Sequence, residues 1–236
     1  MKIKEKFYKT VTHFFPDFNK WIKWIIKDPR HSSYTKYGIK TLFWSGLYLF
    51  LLKLGSRRQI NFKFNTEKFI RNISIISEEK LDRYPNDKTL ADLLKRLYIK
   101  YFFKIKKKMI KHLIRKKRLE KYRLNGYYLI AIDGSGFLIF KGKKGNCVTR
   151  LINGVLYYWL PVLELKLVTS SGLALSIGTE FIENPGETYN KQDCELKAFY
   201  RYADKLKKDF PQMKICLLLD GLFANQKVIN ICEKNH

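Results

Sequence analysis

Carboxylates are scarce in this sequence, and so are the cysteine patterns that build zinc sites or disulfide frameworks. The 236 residues include 21 Asp and Glu against 47 Lys and Arg, which gives a formal net charge of +26 at pH 7. The four cysteines are scattered, without a Cys-x-x-Cys pair, and no His-x-x-x-His pattern occurs. We therefore expect neither a structural zinc ion nor a disulfide scaffold, and free thiols fit a reducing cytoplasm.

Long apolar runs are missing as well. The longest, Leu42 to Leu52, lies between Lys40 and Lys53. It is shorter than the ~20 residues that a membrane-spanning helix needs. The N-terminal residues mix basic and apolar side chains and lack the continuous apolar core of a signal peptide. The sequence thus predicts no membrane partner and places the apolar run in a core helix.

The positive charge is concentrated in the first half of the chain. Residues 1–126 contain 33 basic and 10 acidic residues, whereas residues 127–236 contain 14 and 11. This excess favours a polyanionic partner, either a nucleic acid or an anionic membrane surface. A lysine-rich surface produced by AT-rich codon bias would explain the total but not the asymmetry. With the change of composition at Gly126, we predict a helical, basic DNA-binding region at 1–125 and a second domain at 126–236.

Basic side chains are densest in a helical pattern around residue 110. A capping-box pattern from Thr89 to Asp92 predicts where this helix starts. Like charges at such density repel, so we prefer contact with the DNA backbone to a solvated basic face, and a membrane-surface helix is the third alternative. Two further arginines, after the apolar helix, either contact phosphate or complement a helix dipole. The predicted DNA-binding residues are Arg57, Arg58, Lys106, Lys107, Lys108, Lys111, Arg115, Lys116 and Lys117.

Two apolar runs lead into an aspartate. Tyr127 to Ile132 precedes Asp133 in YYLIAIDGSG, and Ile215 to Leu219 precedes Asp220 in ICLLLDG. Runs of this composition are typical of buried strands. A charged side chain where a buried strand ends is costly unless water or a metal ion solvates it. Either aspartate alone is more often a turn residue or a cap, but two in matching positions favour a divalent-metal site.

The order of elements after residue 126 predicts how these aspartates meet. Strand patterns occupy 127–133, 155–169, 173–182 and 215–220, and helix patterns occupy 192–210 and 225–233, while 137–153 has no assignment. Three antiparallel strands, a right-handed crossover helix and a parallel strand would put Asp133 and Asp220 ~5 Å apart on neighbouring strands. The predicted fold class is therefore α/β, with an all-helical N-terminal region followed by an incomplete ribonuclease H-like mixed sheet.

Paired carboxylates in such a sheet are typical of two-metal phosphoryl transfer. They bind two Mg²⁺ or Mn²⁺ ions ~4 Å apart, one of which activates the attacking oxygen while the other stabilises the leaving oxygen. We therefore predict Asp133 and Asp220 as catalytic residues and as metal ligands.

Several segments resemble DDE-type insertion-sequence transposases of the ribonuclease H/retroviral integrase superfamily. They are AIDGSG, LELKLVTSSGLALSIGTEFIENPGE, KQDCELKAFYR and ICLLLDGLFAN, with LKLGSRRQINFKFNTEKF and TLADLLKRL upstream, and they cover about residues 36–236. The resemblance implies that Asp133 and Asp220 are the first two members of a metal-binding triad. It also implies that the N-terminal domain helps to bind double-stranded DNA at transposon ends. We accordingly expect a cytoplasmic, nucleoid-associated protein that self-associates on DNA.

The sequence departs from this family at the third acid. The family has a helical Glu well beyond the second Asp, whereas this chain ends 16 residues after Asp220. We therefore expect a transposase that is cut short and inactive as it stands. Glu180 and Glu183 are expected ~10 Å from Asp133, too far for ligation. Glu195 is a further candidate metal ligand, resembling the helical acid of ribonuclease H, but a first-turn acid that complements the helix dipole is the favoured interpretation.

Three functions follow from these residues. The first is a metal-dependent transposase that cleaves and joins DNA strands. The second is a DNA-binding fragment without catalysis, which inhibits the full-length transposase. The third is a ribonuclease H-type nuclease that uses Glu195 as its third carboxylate.

Overall fold

The structure, a computed structural model, describes residues 3–142, 145–184 and 193–235. Its contacts divide the chain into two compact units, Met1–Met109 and Ile110–His236. The first unit is helical, and the second contains a mixed, open sheet with helices. The predicted α/β class and the order of the two parts are thus confirmed. No helix in the described part of the chain is long and apolar enough to cross a membrane.

Helices with side-chain caps build the first unit. Thr66 accepts a hydrogen bond from the N–H of Phe69 at 3.4 Å, and Asn86 accepts one from the N–H of Thr89 at 2.8 Å. The helix predicted to start at Thr89 is therefore two helices, since Asn86 begins the first and the backbone is extended at Leu97. The helices are α1 (Ile3–Phe14), α2 (Phe18–Ile25), α3 (Ile39–Leu51), α4 (Gln59–Lys63), α5 (Glu67–Ser77), α6 (Asp87–Arg96) and α7 (Lys100–Arg115).

Aromatic rings fill the core of the helical unit. Phe64 and Phe69 stack with their centroids 4.1 Å apart, and Tyr84 packs edge-on against both rings at 5.5 Å. Trp44, on the helix of the long apolar run, is buried and donates its ring N–H to Asn19 at 2.8 Å. Each such ring pair adds ~0.5–1.5 kcal/mol to the burial of the rings, so this unit has a hydrophobic core of its own.

The second unit contains a sheet with antiparallel and parallel pairs. Its described strands are β1 (Tyr128–Phe140), β2 (Val148–Ile152), β3 (Val155–Val168), β4 (Ala174–Phe181) and β5 (Ile215–Leu218), and its helices beyond α7 are α8 (Glu195–Asp209) and α9 (Gln226–Asn235). Strand β3 pairs antiparallel with β1 on one side and with β2 and β4, in succession, on the other. Strand β5 lies parallel to β1. Apart from β2, this is the predicted strand arrangement.

Alternating side chains determine which face of this sheet is covered. Ile132 and Leu165 form a register pair across β1 and β3, and both are buried with Phe199 and Tyr202 of α8. Successive side chains of a strand point to opposite faces, so Asp133 lies on the other face from Ile132 and is exposed. The sequence alternation thus fixes one apolar face against α8 and leaves the aspartate accessible.

The largest difference from the predicted boundaries is the length of the first strand. Strand β1 does not end at Asp133 but continues to Phe140, because it keeps its pairing with β3 beyond an irregularity between Gly136 and Leu138. The unassigned residues 137–153 therefore contain the end of β1 and the whole of β2. The glycines at 134 and 136 interrupt the apolar run and hide this extension in the sequence. The predicted helix 192–210 is α8, and its first predicted residue lies outside the described residues.

The predicted domain boundary at 125/126 also lies later in the chain than the division between the compact units. The last residues of α7 belong to the second unit, since Ile110 and Leu119 bury their side chains in its core. Leu113 and Ile114 pack against the same core. The change in composition at Gly126 therefore marks the start of the sheet and not the start of the unit.

Candidate functional site

Asp133 and Asp220 lie at the same end of the parallel pair of strands. The last register pair of β1 and β5 joins Ala131 to Leu218, and Asp133 and Asp220 each follow that pair by two residues. Neighbouring strands are ~4.8 Å apart, so the two chains are adjacent where the pairing ends. The sequence predicted that Asp133 ends its strand, and this prediction is wrong. Asp133 lies inside β1, just past the level at which β5 ends.

A local hydrogen bond orients Asp220. Its Oδ1 accepts a hydrogen bond from the N–H of Leu222 at 3.0 Å and thereby caps the short 3₁₀ helix Gly221–Phe223. Aspartate is favoured at such positions because its short side chain reaches the backbone two residues on. The bond uses one of the two carboxylate oxygens, and the side chain remains exposed.

Glu195, the first residue of α8, brings a third carboxylate close enough for the charges of Asp133 and Asp220 to act on it. It lies on the face of β1 that α8 covers, whereas the side chain of Asp133 lies on the other face. Its carboxylate lies directly against Gly134, the neighbour of Asp133, and a Cβ atom on residue 134 would collide with it. The missing side chain at residue 134 thus leaves the space that the Glu195 carboxylate occupies. The atoms that a Cβ would meet are the end of a flexible side chain, so a substitution at residue 134 would displace the Glu195 carboxylate and not helix α8.

The pKa of the Glu195 carboxyl is raised above its ordinary value. Burial is the largest cause, and the negative charges of Asp133 and Asp220 raise it further. A helix N-terminus alone stabilises a carboxylate and so lowers its pKa. The upward shift means that burial and repulsion by the two aspartates outweigh the helix dipole at this position.

The three carboxylates are neighbours without forming a closed ligand set. Among the described residues, no three His, Cys, Asp or Glu side chains are arranged as a metal site. None of the three carboxylates forms an ion pair with a described cation. Like charges repel in the absence of a cation, which favours an open arrangement. Carboxylate oxygens are the ligands that Mg²⁺ and Mn²⁺ prefer, so the donor set fits a divalent cation.

Two other acids near the start of α8 are already neutralised. Asp193 accepts two hydrogen bonds from the guanidinium of Arg201, at 2.8 and 2.9 Å, and Glu180 accepts a third at 3.1 Å. Burial would raise the pKa of Asp193, but the hydrogen bonds and the charge of Arg201 lower it below its ordinary value. Asp193 and Glu180 therefore have a structural role and are not available to bind a metal ion.

Glu164 is an acid near the site that sequence reasoning missed. It lies opposite Asp133 in the register of β1 and β3, and opposite residues share one face of a sheet. Ser176 and Thr179 of β4 donate hydroxyl hydrogen bonds to its two oxygens, at 2.8 Å for Ser176. The signal that points to Glu164 is the alternation in LELKL, where an acid follows a buried leucine and faces away from the core.

The predicted DNA-binding residues of the helical unit differ in their surroundings. Arg57 and Arg58 are exposed, and Arg58 takes the N-cap position of α4, where a cation opposes the helix dipole. Lys106 and Lys107 are half-buried, and the ammonium of Lys108 lies 5.2 Å from the Trp21 ring and 5.5 Å from the Trp24 ring.

The predicted DNA-binding residues of the second unit are exposed and close together. Lys111, Arg115 and Lys117 line one cavity of about 470 Å³. Arg123 and Lys214 contribute two further cations to its wall. Lys116 is exposed next to them in the chain. The sequence predicted three of these five lining cations, and the other two became evident only when the chain folded around the cavity.

Comparisons of this chain with protein-family models, with curated proteins and with solved structures gave no match.

Proposed function

We propose that this protein is a metal-dependent enzyme that cleaves DNA phosphodiester bonds, with Asp133, Asp220 and Glu195 as its carboxylates. The observation that carries the proposal is the convergence of these three acids from β1, from the end of β5 and from the start of α8. Their charges are not balanced by a described cation. A divalent cation from solution would stabilise this arrangement, because it relieves the repulsion that raises the pKa of Glu195.

Each residue has a separate task in this scheme. Asp133 provides a carboxylate from a strand that is paired on both sides up to Ala131 and remains paired with β3 beyond it. Asp220 provides a second one, oriented by the N–H of Leu222. Glu195 completes the set across Gly134. The chemistry supplied by two bound Mg²⁺ or Mn²⁺ ions is activation of the attacking oxygen and stabilisation of the leaving oxygen.

The exposed cations supply a means of binding the substrate. Contacts between Lys or Arg and DNA phosphates position a duplex without reading its sequence. The cavity lined by Lys111, Arg115 and Lys117 offers such contacts in the unit that carries the carboxylates. The resemblance to DDE transposases supports three further parts of this proposal. The DNA would be a transposon end, strand transfer would follow cleavage, and the protein would self-associate on DNA. The ribonuclease H-like identity of the sheet is part of the same proposal, supported by its strand order.

A second candidate function is DNA binding without catalysis. It is favoured by one observation, the absence of a closed set of three metal ligands among the described residues. A protein of this kind would occupy transposon ends and inhibit a complete transposase. It would need the basic residues but not the three carboxylates.

Mn²⁺-dependent nicking of supercoiled DNA tests the proposal. We expect the purified chain to nick, and Glu195→Gln and Asp133→Asn to reduce the rate by on the order of 100-fold, since even lost outer-shell partners cost about 10–100-fold at metal sites. Asp204→Asn is the matched control, because Asp204 is an exposed acid on the same helix as Glu195. Its rate should equal that of the wild type.

The outcomes separate the two candidates. DNA binding without any nicking would contradict the enzymatic proposal and support the binding function. Nicking that persists in Glu195→Gln but not in Asp133→Asn would remove Glu195 from the ligand set.

A further inference from the structure

The helical unit contains a basic cavity that is lined by its own residues alone. Its volume is about 750 Å³, which is within the range of ~300–1,000 Å³ found for small-ligand sites. Its walls come from the loop before α3, from α4 and the residue after Phe64, and from α6 with the loop before it. Asn61 and Asp87 exchange two hydrogen bonds, at 2.8 and 3.0 Å, that fix α4 to α6. The walls are therefore anchored and not merely adjacent.

The loop that forms one wall is also anchored. Arg30 donates two hydrogen bonds to Asp28, at 2.7 and 2.9 Å, and one to the carbonyl oxygen of Tyr37 at 2.8 Å. This ties together the two ends of the segment that carries Tyr34 and Lys36. The charge of Arg30 is balanced by Asp28, so Arg30 has a structural role in the wall.

Three other cations of the cavity are not balanced in this way. Lys36, Arg83 and Arg96 are exposed, and none of them forms an ion pair with a described residue. Asp92 is the single acid among the described residues that line the cavity. Three cations against one carboxylate leave an excess of positive charge, which favours an anionic ligand.

An aromatic ring at the same cavity indicates that the ligand is more than a simple anion. Tyr34 is 89% exposed, the highest value among the large apolar side chains described here, and its ring lies 5.7 Å from that of His31. An exposed ring beside unbalanced cations is the combination with which proteins bind unpaired nucleotides, because each base has a face that can stack. Asn65 adds an amide that can donate to and accept from the edge of a base.

We propose that this cavity binds one unstacked nucleotide, with its base on Tyr34 and its phosphate at Arg83 and Arg96. The proposal rests on the proposed function only in that it takes DNA as the source of the nucleotide. A duplex keeps its bases stacked inside, so the ligand is a nucleotide from a single-stranded stretch or from an opened DNA end. A free nucleoside monophosphate has the same chemistry and would occupy the same cavity.

Binding measured in EDTA tests this site separately from any metal-dependent nicking. The probes are a labelled single-stranded oligonucleotide, a blunt duplex of the same sequence, dAMP and inorganic phosphate. We expect Tyr34→Ala to weaken single-strand and dAMP binding about tenfold, the loss typical of one stacking contact, and to leave duplex binding within about twofold. Tyr98→Ala is the matched control, since Tyr98 is an exposed tyrosine outside the cavity.

A second pair of variants tests the phosphate contact. Arg96→Gln should weaken single-strand and dAMP binding, whereas Lys95→Gln, the exposed neighbour of Arg96 outside the cavity, should not. Photocross-linking with a 5-iododeoxyuridine oligonucleotide should label the peptide that contains Tyr34. Equal effects of Tyr34→Ala and Tyr98→Ala would overturn the proposal. Binding of phosphate as tight as that of dAMP would also overturn it, by showing an anion site without a base subsite.

Discussion

Asp193 and Glu195 are two residues apart, and the pKa values of their carboxyl groups move in opposite directions. Burial raises both. For Asp193 the hydrogen bonds and charge of Arg201 more than reverse this effect, while for Glu195 the charges of Asp133 and Asp220 add to it. The same short segment thus carries one acid whose charge the fold neutralises and one whose charge it leaves unbalanced. The opposite pKa shifts of the two carboxyl groups come from their charged neighbours, since burial acts in the same direction on both.

This comparison separates the acids that the fold pairs with its own groups from the acids that we propose bind a cation. Asp193 and Glu180 share a guanidinium from their own chain, and Glu164 is bonded by two hydroxyl groups. Asp133 and Glu195 have no such partner among the described residues. Where a fold gathers carboxylates without supplying a cation, a cation from solution lowers its free energy.

Of the changes considered, removal of Arg201 should have the largest effect on stability, because Arg201 is the partner that distinguishes Asp193 from Glu195. Arg201→Gln leaves Asp193, whose side chain is 10% exposed, without its two charged hydrogen bonds. We expect the free energy of unfolding to fall by about 2–3 kcal/mol, since hydrogen bonds to charged groups contribute about 1.5–3 kcal/mol each. Chemical denaturation followed by circular dichroism measures this change.

The control for Arg201 is Lys205→Gln. Lys205 lies 3.6 Å from Glu180 and its side chain is 50% exposed, so its removal should cost less than about 1 kcal/mol. Equal losses for the two variants would mean that Arg201 does not anchor the acids of this region.

The same distinction applies to the basic residues that we expect to contact DNA. Arg115 is exposed at a cavity wall, whereas Lys108 lies over two tryptophan rings. Arg115→Gln should reduce the slope of log K against log[salt] by about 0.9, which corresponds to about eightfold in affinity at 0.1 M salt. Lys108→Gln should change the slope by less, because its ammonium is already engaged. Fluorescence anisotropy with a labelled duplex gives both slopes, and equal reductions would contradict the distinction.

The smallest effect concerns the stability of the metal-free protein. The pKa of Glu195 is raised above its ordinary value of 4.5, so the folded state binds more protons than the unfolded state between these two pKa values. The contribution of Glu195 to the stability of the folded state therefore becomes less favourable as pH rises through this window. Glu195→Gln should be about 0.5 kcal/mol more stable than the wild type at pH 7, a size typical of partly exposed charge pairs.

Below pH 4.5 the advantage of Glu195→Gln should disappear, because the wild-type carboxyl is then protonated as well. Urea denaturation at pH 4 and pH 7 gives the two differences. A variant that is less stable than the wild type at pH 7 would show that Glu195 serves the helix dipole after all.

The sequence predicted the parts of the fold that depend on strong local patterns. Apolar runs gave the strands that carry Asp133 and Asp220, and the order of elements gave their parallel pairing. The extension of β1 was not predicted, because Gly134 and Gly136 break the apolar pattern although the strand keeps its partner.

The candidate site was less accessible from the sequence. In the sequence, Asp193 and Glu195 are both acids at the start of the helix pattern, and nothing local distinguishes a structural acid from a candidate metal ligand. The distinction depends on which of the two Arg201 reaches in the folded chain. Likewise, Lys108 belongs to a basic run in the sequence, but its contact with Trp21 depends on the packing of α2 against α7. Tertiary partners, and not local propensity, decide which charges remain unbalanced.

The most direct test of the central claim is calorimetric titration of Mn²⁺ into the metal-free protein. We predict saturable binding to the wild type and to Asp204→Asn. We predict binding weakened by about tenfold or more in Asp133→Asn, Asp220→Asn and Glu195→Gln, because each removes one carboxylate from the ligand set. Equal Mn²⁺ affinity in the wild type and all three of these variants would contradict the claim that the three carboxylates form a cation site.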